Sequence, residues 1–237
     1  MMYHHGLLTY SATNKLVVPN LIAKHQLLHQ ACSVRIPLRK MNDVMSNPTE
    51  QGWCRLIEDI FVLGNSVTTL CDNNCSETAF QSALCSAFGQ LTRGIGDTSH
   101  ESELKVKVLE NKSGVGYAYI LVRSGGTGVL LELKRVRPRE MEFKNETIMK
   151  NRDKATRFVA EEISDELSGM TEEELCGVKL DGNYYEGKTV GDVLDSACKQ
   201  AAKYSALKES HGLDRLHGFG VVSVATRIIV RDAELNV

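Results

Sequence analysis

The sequence lacks the features that would direct it into or across a membrane. No run of about 18 apolar residues occurs in the chain of 237 residues, which excludes a hydrophobic transmembrane helix. The N-terminus has neither the basic stretch nor the apolar stretch of a secretory signal peptide. We therefore expect a cytoplasmic or other intracellular protein that has no membrane partner.

Disulfide and zinc patterns are missing as well. The seven cysteines are an odd number at irregular positions, which is not the pattern of a disulfide framework. No second Cys/His pair stands at a zinc-ligand spacing. His25 and His29 are one helical turn apart, but they have no third ligand. We expect reduced, mostly buried thiols and no zinc site.

A strong basic excess, which is typical of dedicated nucleic-acid binders, is also missing. The chain carries 28 Lys and Arg against 30 Asp and Glu. Residues 1–139 have a net charge of +4, whereas residues 140–188 hold 7 basic against 13 acidic residues, a net charge of −6. The 42% of hydrophobic residues is ordinary for a soluble globular protein, and the length allows one core of good size.

Two regions are predicted along the chain. Residues 1–46 contain a short hairpin, a helix at 20–34 and a linker at 35–46, and we expect them to belong to a preceding region of a longer protein. Residues 47–237 form the main domain, in which helices and strands alternate. The expected helices are 47–63, 76–91, 145–167 and one that begins at Thr189, and the expected strands are 103–110, 115–123, 128–136 and 218–230.

The acidic part of the main domain is longer than the crossover of a compact α/β unit. We therefore expect an acidic insertion at about 139–188. The insertion is predicted to lie beside the mouth of the cleft that holds the candidate site described below. There it would oppose access of nucleic acid, because its negative charge repels phosphates. We also expect it to be removable without loss of the fold.

A central hairpin carries the candidate site. Ser124-Gly125-Gly126-Thr127 is a turn signal, and a turn centred on its two glycines places Tyr119 opposite Glu132 and Tyr117 opposite Lys134. Side chains alternate along a strand, so one face is wholly apolar and belongs to the core. That face consists of Ala118, Ile120, Val122, Val129, Leu131 and Leu133. The opposite face carries Tyr117, Tyr119, Leu121, Leu130, Glu132 and Lys134, and its charges are a candidate site.

These motifs resemble those of the PD-(D/E)XK nuclease superfamily, in particular the C-terminal nuclease-like domain of AAA-ATPase-like proteins. Glu132-Leu133-Lys134 matches the Glu-x-Lys strand, 114–119 the Gly-x-Gly-Arg-x-Asp strand, Glu77 the acid of the first helix, and Gln200 with Tyr204 the later helix. The resemblance implies a restriction-endonuclease-like α/β core, with the order α-β-β-β-α-β around a mixed sheet.

The resemblance also shows where the active pattern is lost. Tyr119 stands at the position of the family's metal-binding Asp, and Tyr117 at that of its Arg. A phenol ionises near pH 10, so it is a poor Mg²⁺ ligand at neutral pH. We therefore expect a catalytically inactive pseudonuclease without a cofactor. It would act as a protein-binding module, or a weak nucleic-acid-binding one, of a larger protein, similar to effectors of intracellular bacteria that work in the host cytosol.

Other interpretations stay open at this point. In an active endonuclease, Glu132 would bind Mg²⁺ or Mn²⁺ and Lys134 would polarise water, with Glu77 and Gln200 in support. A binding domain that does not cut could use the basic run at 134–139 to contact phosphates. In structural terms, Glu132 and Lys134 are equally an ordinary ion pair on a strand, and Glu77 an acid favoured by the helix dipole.

Overall fold

The computed structural model describes residues 9–10, 16–17, 38–62, 65–93, 105–110, 118–154, 156–181, 185, 187–204 and 212–233. In this part of the chain a mixed β-sheet packs against helices on both faces, so the protein is of the α/β class. Strands β1 (Thr9–Tyr10) and β2 (Leu16–Val17) pair antiparallel, as predicted for the first hairpin. The predicted helix 20–34, with His25 and His29, lies outside the described residues.

Two of the helices described before the main sheet begin where the sequence predicts them. The α-helices of this part are α1 (Leu38–Ser46), α2 (Glu50–Ile57), α3 (Val67–Leu70) and α4 (Glu77–Arg93). The Thr49 side chain accepts a hydrogen bond from the Gly52 amide at 3.1 Å and caps α2. The Ser76 side chain caps α4 in the same way, by accepting from Ala79 at 3.2 Å. Both predicted starts are therefore confirmed.

Helix α1 corrects the sequence analysis. The linker predicted at 35–46 is wrong over its described part, because residues 38–46 are helical. Met41 and Met45 stand one turn apart and are buried in the core. Two methionines among mostly polar neighbours are too short an apolar stripe to indicate a helix from the sequence alone.

The sheet contains five strands in the order of the chain. They are β3 (Lys105–Glu110), β4 (Ala118–Ser124), β5 (Thr127–Val136), β6 (Arg215–Val224) and β7 (Arg227–Asp232). Strands β3, β4 and β5 are antiparallel neighbours, β5 and β6 are parallel, and β7 is antiparallel to β6. The first three strands are confirmed to within a few residues of their predicted bounds.

The last strand prediction is wrong, because residues 218–230 belong to two strands and not to one. A turn at Ala225 and Thr226 separates β6 from β7. Ala225 has φ +47°, in the left-handed region that residues with a side chain rarely adopt. Because neither turn residue is Gly, Pro, Asn or Asp, the sequence does not mark this turn.

The register of the β4–β5 hairpin is confirmed. Tyr119 pairs with Glu132, and Ser124 pairs with Thr127. Gly125 has φ +57°, which explains one glycine of the turn. The second, Gly126, has no room for a Cβ atom, which would collide with the Asp214 carboxylate. Tyr117 and its predicted pairing with Lys134 lie outside the described residues.

Both faces of the hairpin are covered by helices. On one face, α1, α2 and α4 pack against the apolar side chains that the alternation predicts, Ile120, Val122, Val129, Leu131 and Leu133. Trp53, the single tryptophan, lies in this core against Phe88 and Phe219. On the other face, Leu121 and Leu130 pack against Ala201.

The acidic segment between β5 and β6 contains several short helices. After a 3₁₀ turn (Pro138–Glu140) come α5 (Glu146–Asn151), α6 (Arg157–Ser168) and α7 (Glu172–Cys176). The single helix predicted at 145–167 is wrong, because α5 ends at Asn151 and α6 starts again after the Thr156 cap.

The same segment supplies part of the core. A second cluster of buried residues joins its apolar side chains to the sheet and to α8 (Val190–Ala202). The segment contributes Met141, Phe143, Ile148, Val159, Ala160, Ile163, Leu167, Leu175 and Leu180 to this cluster. The sheet and α8 contribute Val136, Val222, Val224, Ile229, Val190, Val193 and Leu194. This packing opposes the expectation that 139–188 is removable without loss of the fold.

Helix α8 crosses the sheet very closely. It begins at the predicted residue, Thr189, whose side chain accepts from the Asp192 amide while the Asp192 carboxylate accepts from the Thr189 amide. A Cβ atom at Gly220 of β6 would lie 2.6 Å from Cys198 Sγ and 2.8 Å from Cys198 N. The absence of a side chain at Gly220 therefore sets the distance between α8 and the sheet.

We expect Gly220→Ala to destabilise the fold by about 2 kcal/mol, because the helix must move away from the sheet. The measurement is urea unfolding followed by Trp53 fluorescence. Gly169→Ala is the matched control, since its Cβ would meet no atom closer than 3.6 Å. Equal stability of the two variants would contradict the close contact.

Two further features of the described residues bear on the sequence analysis. None of their helices has the length and apolar character needed to cross a membrane. Six of the seven cysteines are described and all six are free, as predicted. The expectation that they are mostly buried is wrong, since Cys71 is buried and the other five are half-buried.

Candidate functional site

The two charged residues of the predicted motif form a buried ion pair on β5. Lys134 Nζ lies 3.2 Å from Glu132 Oε1 and donates a hydrogen bond to it. Glu132 is 0% exposed and Lys134 is 8% exposed. The sequence places both side chains on the face opposite the apolar core, which the register confirms, but it does not show that α8 buries them there.

Glu77 joins this pair from the first turn of α4. Its Oε1 lies 3.6 Å from Lys134 Nζ, and its carboxylate also accepts a hydrogen bond from the Arg135 backbone. Because Ser76 fixes the start of α4, Glu77 stands at the helix end nearest β5. The Lys134 ammonium group therefore interacts with both carboxylates. This contact shows that Glu77 does more than favour the helix dipole.

A pocket of about 390 Å³ opens beside the three charged groups. Its lining includes three of the four predicted site residues, Glu77, Lys134 and Gln200. The other lining residues are Cys75, Ser76, Arg135, Arg137, Glu140, Tyr185, Lys188, Asp192, Val193 and Ser196. The fourth predicted residue, Glu132, does not line the pocket, but it forms an ion pair with the lining residue Lys134.

Burial dominates the acid–base chemistry of this site. It raises the pKa of Glu132 to about 7, against the attraction of Lys134, and Glu77 adds to the rise through repulsion. Burial also raises the pKa of Glu77, while Lys134 and the Arg135 amide oppose the shift. The pKa of Tyr185 rises to about 12, first through burial and then through Glu140 and Glu77.

Within the described part of the chain, two buried acceptor atoms at the site have no hydrogen-bond partner. They are Glu132 Oε2 and Gln200 Oε1. An unpaired carboxylate oxygen in a buried position is costly when the group is ionised, which agrees with the raised pKa of Glu132. The sequence identified Gln200 only through the resemblance, and the structure places it on α8 at the pocket wall.

The basic run at 134–139 is largely engaged inside the protein. Arg135 is buried, and it donates to the carbonyl oxygens of Leu70 and Cys75 and to the Ser223 hydroxyl. Burial lowers the pKa of its guanidinium group. Arg137 forms a salt bridge with Glu140.

Arg139 is the exposed member of this run. Lys134 and Arg135 are buried, so they are not part of a solvated strand end and are poorly placed to contact phosphates.

The site brings two carboxylates together at Lys134, without a third acidic, His or Cys ligand among the described residues. Within the described residues, no group of three or more His, Cys, Asp and Glu side chains could hold a metal ion. The acids that do meet, Glu77 and Glu132, share the Lys134 ammonium group. Mg²⁺ takes oxygen ligands such as carboxylates and water, so it would compete with this ammonium group for the carboxylate oxygens. In the register of β4 and β5, Tyr119 stands opposite Glu132.

Sequence reasoning missed several residues of the pocket wall. Glu140 and Tyr185 come from the acidic segment, and Lys188 precedes α8. The Arg137–Glu140 spacing is a weak local signal for the 3₁₀ turn, but nothing in the sequence brings Tyr185 to the end of β5. That proximity arises because Leu180 pairs with Met141 next to β5.

Comparisons with known proteins gave no similarity on which to base an assignment: no protein-family model, no curated protein and no solved structure matches the chain.

Proposed function

We propose that the chain is a PD-(D/E)XK nuclease-like domain that does not cleave nucleic acid and serves as a protein-binding module of a larger protein. The proposal places it in a reducing intracellular compartment, which agrees with the six free cysteines. By analogy with multidomain effectors, that compartment includes a host cytosol. The module needs no cofactor.

The arrangement of the sheet supports the nuclease-like part of this proposal. Helix α4, strands β3, β4 and β5, helix α8 and strand β6 follow the α-β-β-β-α-β order that the resemblance implies. The same arrangement brings the residues matched to the motifs, Glu77, Lys134 and Gln200, to one pocket. Strand β7 and the acidic segment are additions to that core.

One observation carries the proposed absence of cleavage: the residue paired with Glu132 across the hairpin is Tyr119 and not an acid. Metal-dependent phosphodiester hydrolysis needs carboxylates that are free to bind the ion and activate water. Here, in addition, the Lys134 ammonium group engages both Glu132 and Glu77.

Charge favours a protein over a nucleic acid as the partner. The chain has a net charge of −2. Arg135 donates to main-chain carbonyls, and Arg137 binds Glu140. A nucleic-acid surface needs exposed cations along the phosphate path. We therefore expect nucleic-acid binding to be weak and to disappear as the salt concentration rises.

The test is a cleavage assay with plasmid and single-stranded DNA in the presence of Mg²⁺ or Mn²⁺. We expect both substrates to stay intact, because Tyr119 and not a second metal-binding acid stands opposite Glu132. Cleavage that is present in the wild type, absent in Glu132→Ala and retained in the exposed-site control Glu161→Ala would overturn the proposal. Tyr119→Asp supplies the converse test, since it is expected to introduce Mn²⁺ binding that calorimetry detects.

The second candidate function is a metal-dependent DNA endonuclease with a relocated acid. It is favoured by the approach of Glu77 to Lys134, which brings a second carboxylate to the site of Glu132. In this alternative, Glu132 and Glu77 would hold the ion and Gln200 would assist. Calorimetric Mn²⁺ binding by the wild type that is lost in both Glu77→Gln and Glu132→Gln would support it.

A further inference from the structure

A second and larger cavity lies away from the pocket of the candidate site. It is a groove of about 870 Å³ at the ends of helices α6 and α7. The groove is lined by Glu142, Phe143, Lys144, Asp165, Glu166, Met170, Glu174, Val178 and Lys179, with Asn145, Gly169 and Gly177. All of these residues belong to the acidic segment.

The groove combines an apolar floor with an acidic rim. Phe143 is 6% exposed, and Met170 and Val178 are half-buried and pack against the second core cluster. Four of the lining residues are acidic and two are lysines. A surface of this kind offers burial to an apolar side chain and attraction to the cations beside it.

The helix ends add to the negative potential. Helix α6 ends at Ser168 and is followed by the lining residue Gly169, so its C-terminal carbonyl groups lie beside the groove. The C-terminus of a helix carries a partial negative charge that favours cations. A cation of the chain itself is bound at this helix end, since the Arg227 guanidinium donates to the carbonyl oxygens of Leu167 and Met170. A guanidinium is therefore a group that this helix end binds.

We propose that the groove docks a basic segment of a partner protein, with Lys or Arg side chains on the acidic rim and an apolar side chain on the floor formed by Phe143, Met170 and Val178. The inference rests on the proposed function as a protein-binding module and names its surface and the chemistry of its partner. Charge complementarity selects this occupant, because the lining of the groove holds four acids against two lysines.

The pocket at Lys134 is a less favourable dock for such a segment. Its cations and acids are paired with one another, as Lys134 is with Glu132 and Arg137 with Glu140. In the groove, Glu142 and Asp165 are exposed acids whose side chains are available to a partner.

The test uses the full chain and a short synthetic peptide that alternates Lys, Arg and Leu, with binding followed by fluorescence anisotropy of the labelled peptide. We expect binding at low salt that weakens as salt is added, since exposed charge pairs are screened. The double variant Glu142→Lys with Asp165→Lys is expected to weaken binding by at least about tenfold. Met170→Gln is expected to weaken it by a few-fold through the loss of apolar contact.

A matched control separates the groove from general acidity. Glu161→Lys with Glu173→Lys makes the same change in net charge at exposed positions outside the groove lining. Both double variants share the effect of the changed net charge on peptide affinity. Apart from that shared effect, we expect the control to change the affinity by less than about twofold. Trp53 fluorescence verifies that each variant is folded.

The other outcomes overturn the inference. Absence of peptide binding would do so, and so would equal losses in the groove variant and the control, which would mean that no specific surface exists. Tighter binding of an acidic peptide or of DNA would also reject a basic partner. None of these results bears on cleavage, so failure of this inference is distinguishable from failure of the proposed absence of nuclease activity, which the cleavage assay decides.

Discussion

Removal of the acidic segment from residue 143 to residue 178 is expected to unfold the protein. The deletion takes away seven side chains of the second core cluster, Phe143, Ile148, Val159, Ala160, Ile163, Leu167 and Leu175. Loss of one large buried side chain costs about 2–5 kcal/mol, and a domain is stable by only about 5–15 kcal/mol. The lost contacts therefore exceed the stability of the whole fold.

The structure makes this deletion easy to close without strain. The Glu142 amide donates to the Lys179 carbonyl at 3.0 Å, and Met141 pairs with Leu180 in an antiparallel bridge. A Gly-Gly link between Glu142 and Lys179 thus forms an ordinary tight turn. Failure of the shortened chain to fold would then be due to lost packing and not to a strained connection.

The measurement is circular dichroism together with Trp53 fluorescence of the shortened chain. A charge control, Asp165→Asn with Glu173→Gln, removes acids from the same segment but leaves its core intact, and it is expected to change stability by less than about 0.5 kcal/mol. A shortened chain that unfolds cooperatively at the wild-type urea midpoint would show that the segment is a separable insertion, as the sequence alone predicts.

The central hairpin was predictable because local rules determine it. The two glycines of the turn set the register, and the register sets which residues share a face. The pairing of Tyr119 with Glu132 therefore followed from the sequence. The convergence of Glu77 and Gln200 on Lys134 did not follow from such rules, and only the resemblance to a known motif order suggested it.

Features that depend on contacts between distant segments were not predictable. Glu132 was placed on the correct face, but its complete burial depends on how closely α8 crosses the sheet, which Gly220 permits. The turn at Ala225 has no turn residue to mark it. The charge of the segment at 139–188 predicts a removable insertion, whereas its apolar residues, such as Ile163 and Leu167, decide its role in the core.

The second large effect is a fall in stability as the pH rises through neutrality, and Glu132→Gln is expected to remove the contribution of Glu132 to it. The pKa of Glu132 is raised from 4.5 to about 7 in the folded protein. Between these values the folded state holds a proton that the unfolded state has released, so stability decreases with increasing pH. The loss is complete above about pH 7 and amounts to about 3 kcal/mol, at 1.36 kcal/mol for each pH unit.

Gln has the shape of a protonated Glu and does not ionise, so the variant is expected to match the wild type near pH 4.5 and to exceed its stability by up to about 3 kcal/mol at pH 8.5. Urea unfolding followed by Trp53 fluorescence across this pH range gives the difference between the two proteins, in which the contributions of groups that do not interact with Glu132 cancel. Glu161→Gln, at an exposed position on α6, is the control and is expected to track the wild type at every pH.

Parallel curves for the wild type and Glu132→Gln would mean that Glu132 is ionised in the folded state throughout, with Lys134 fully offsetting the cost of burial. A wild type that gains stability over the variant as the pH rises would reverse the sign of the argument and would mean that the buried carboxylate is stabilised by its contact with Lys134.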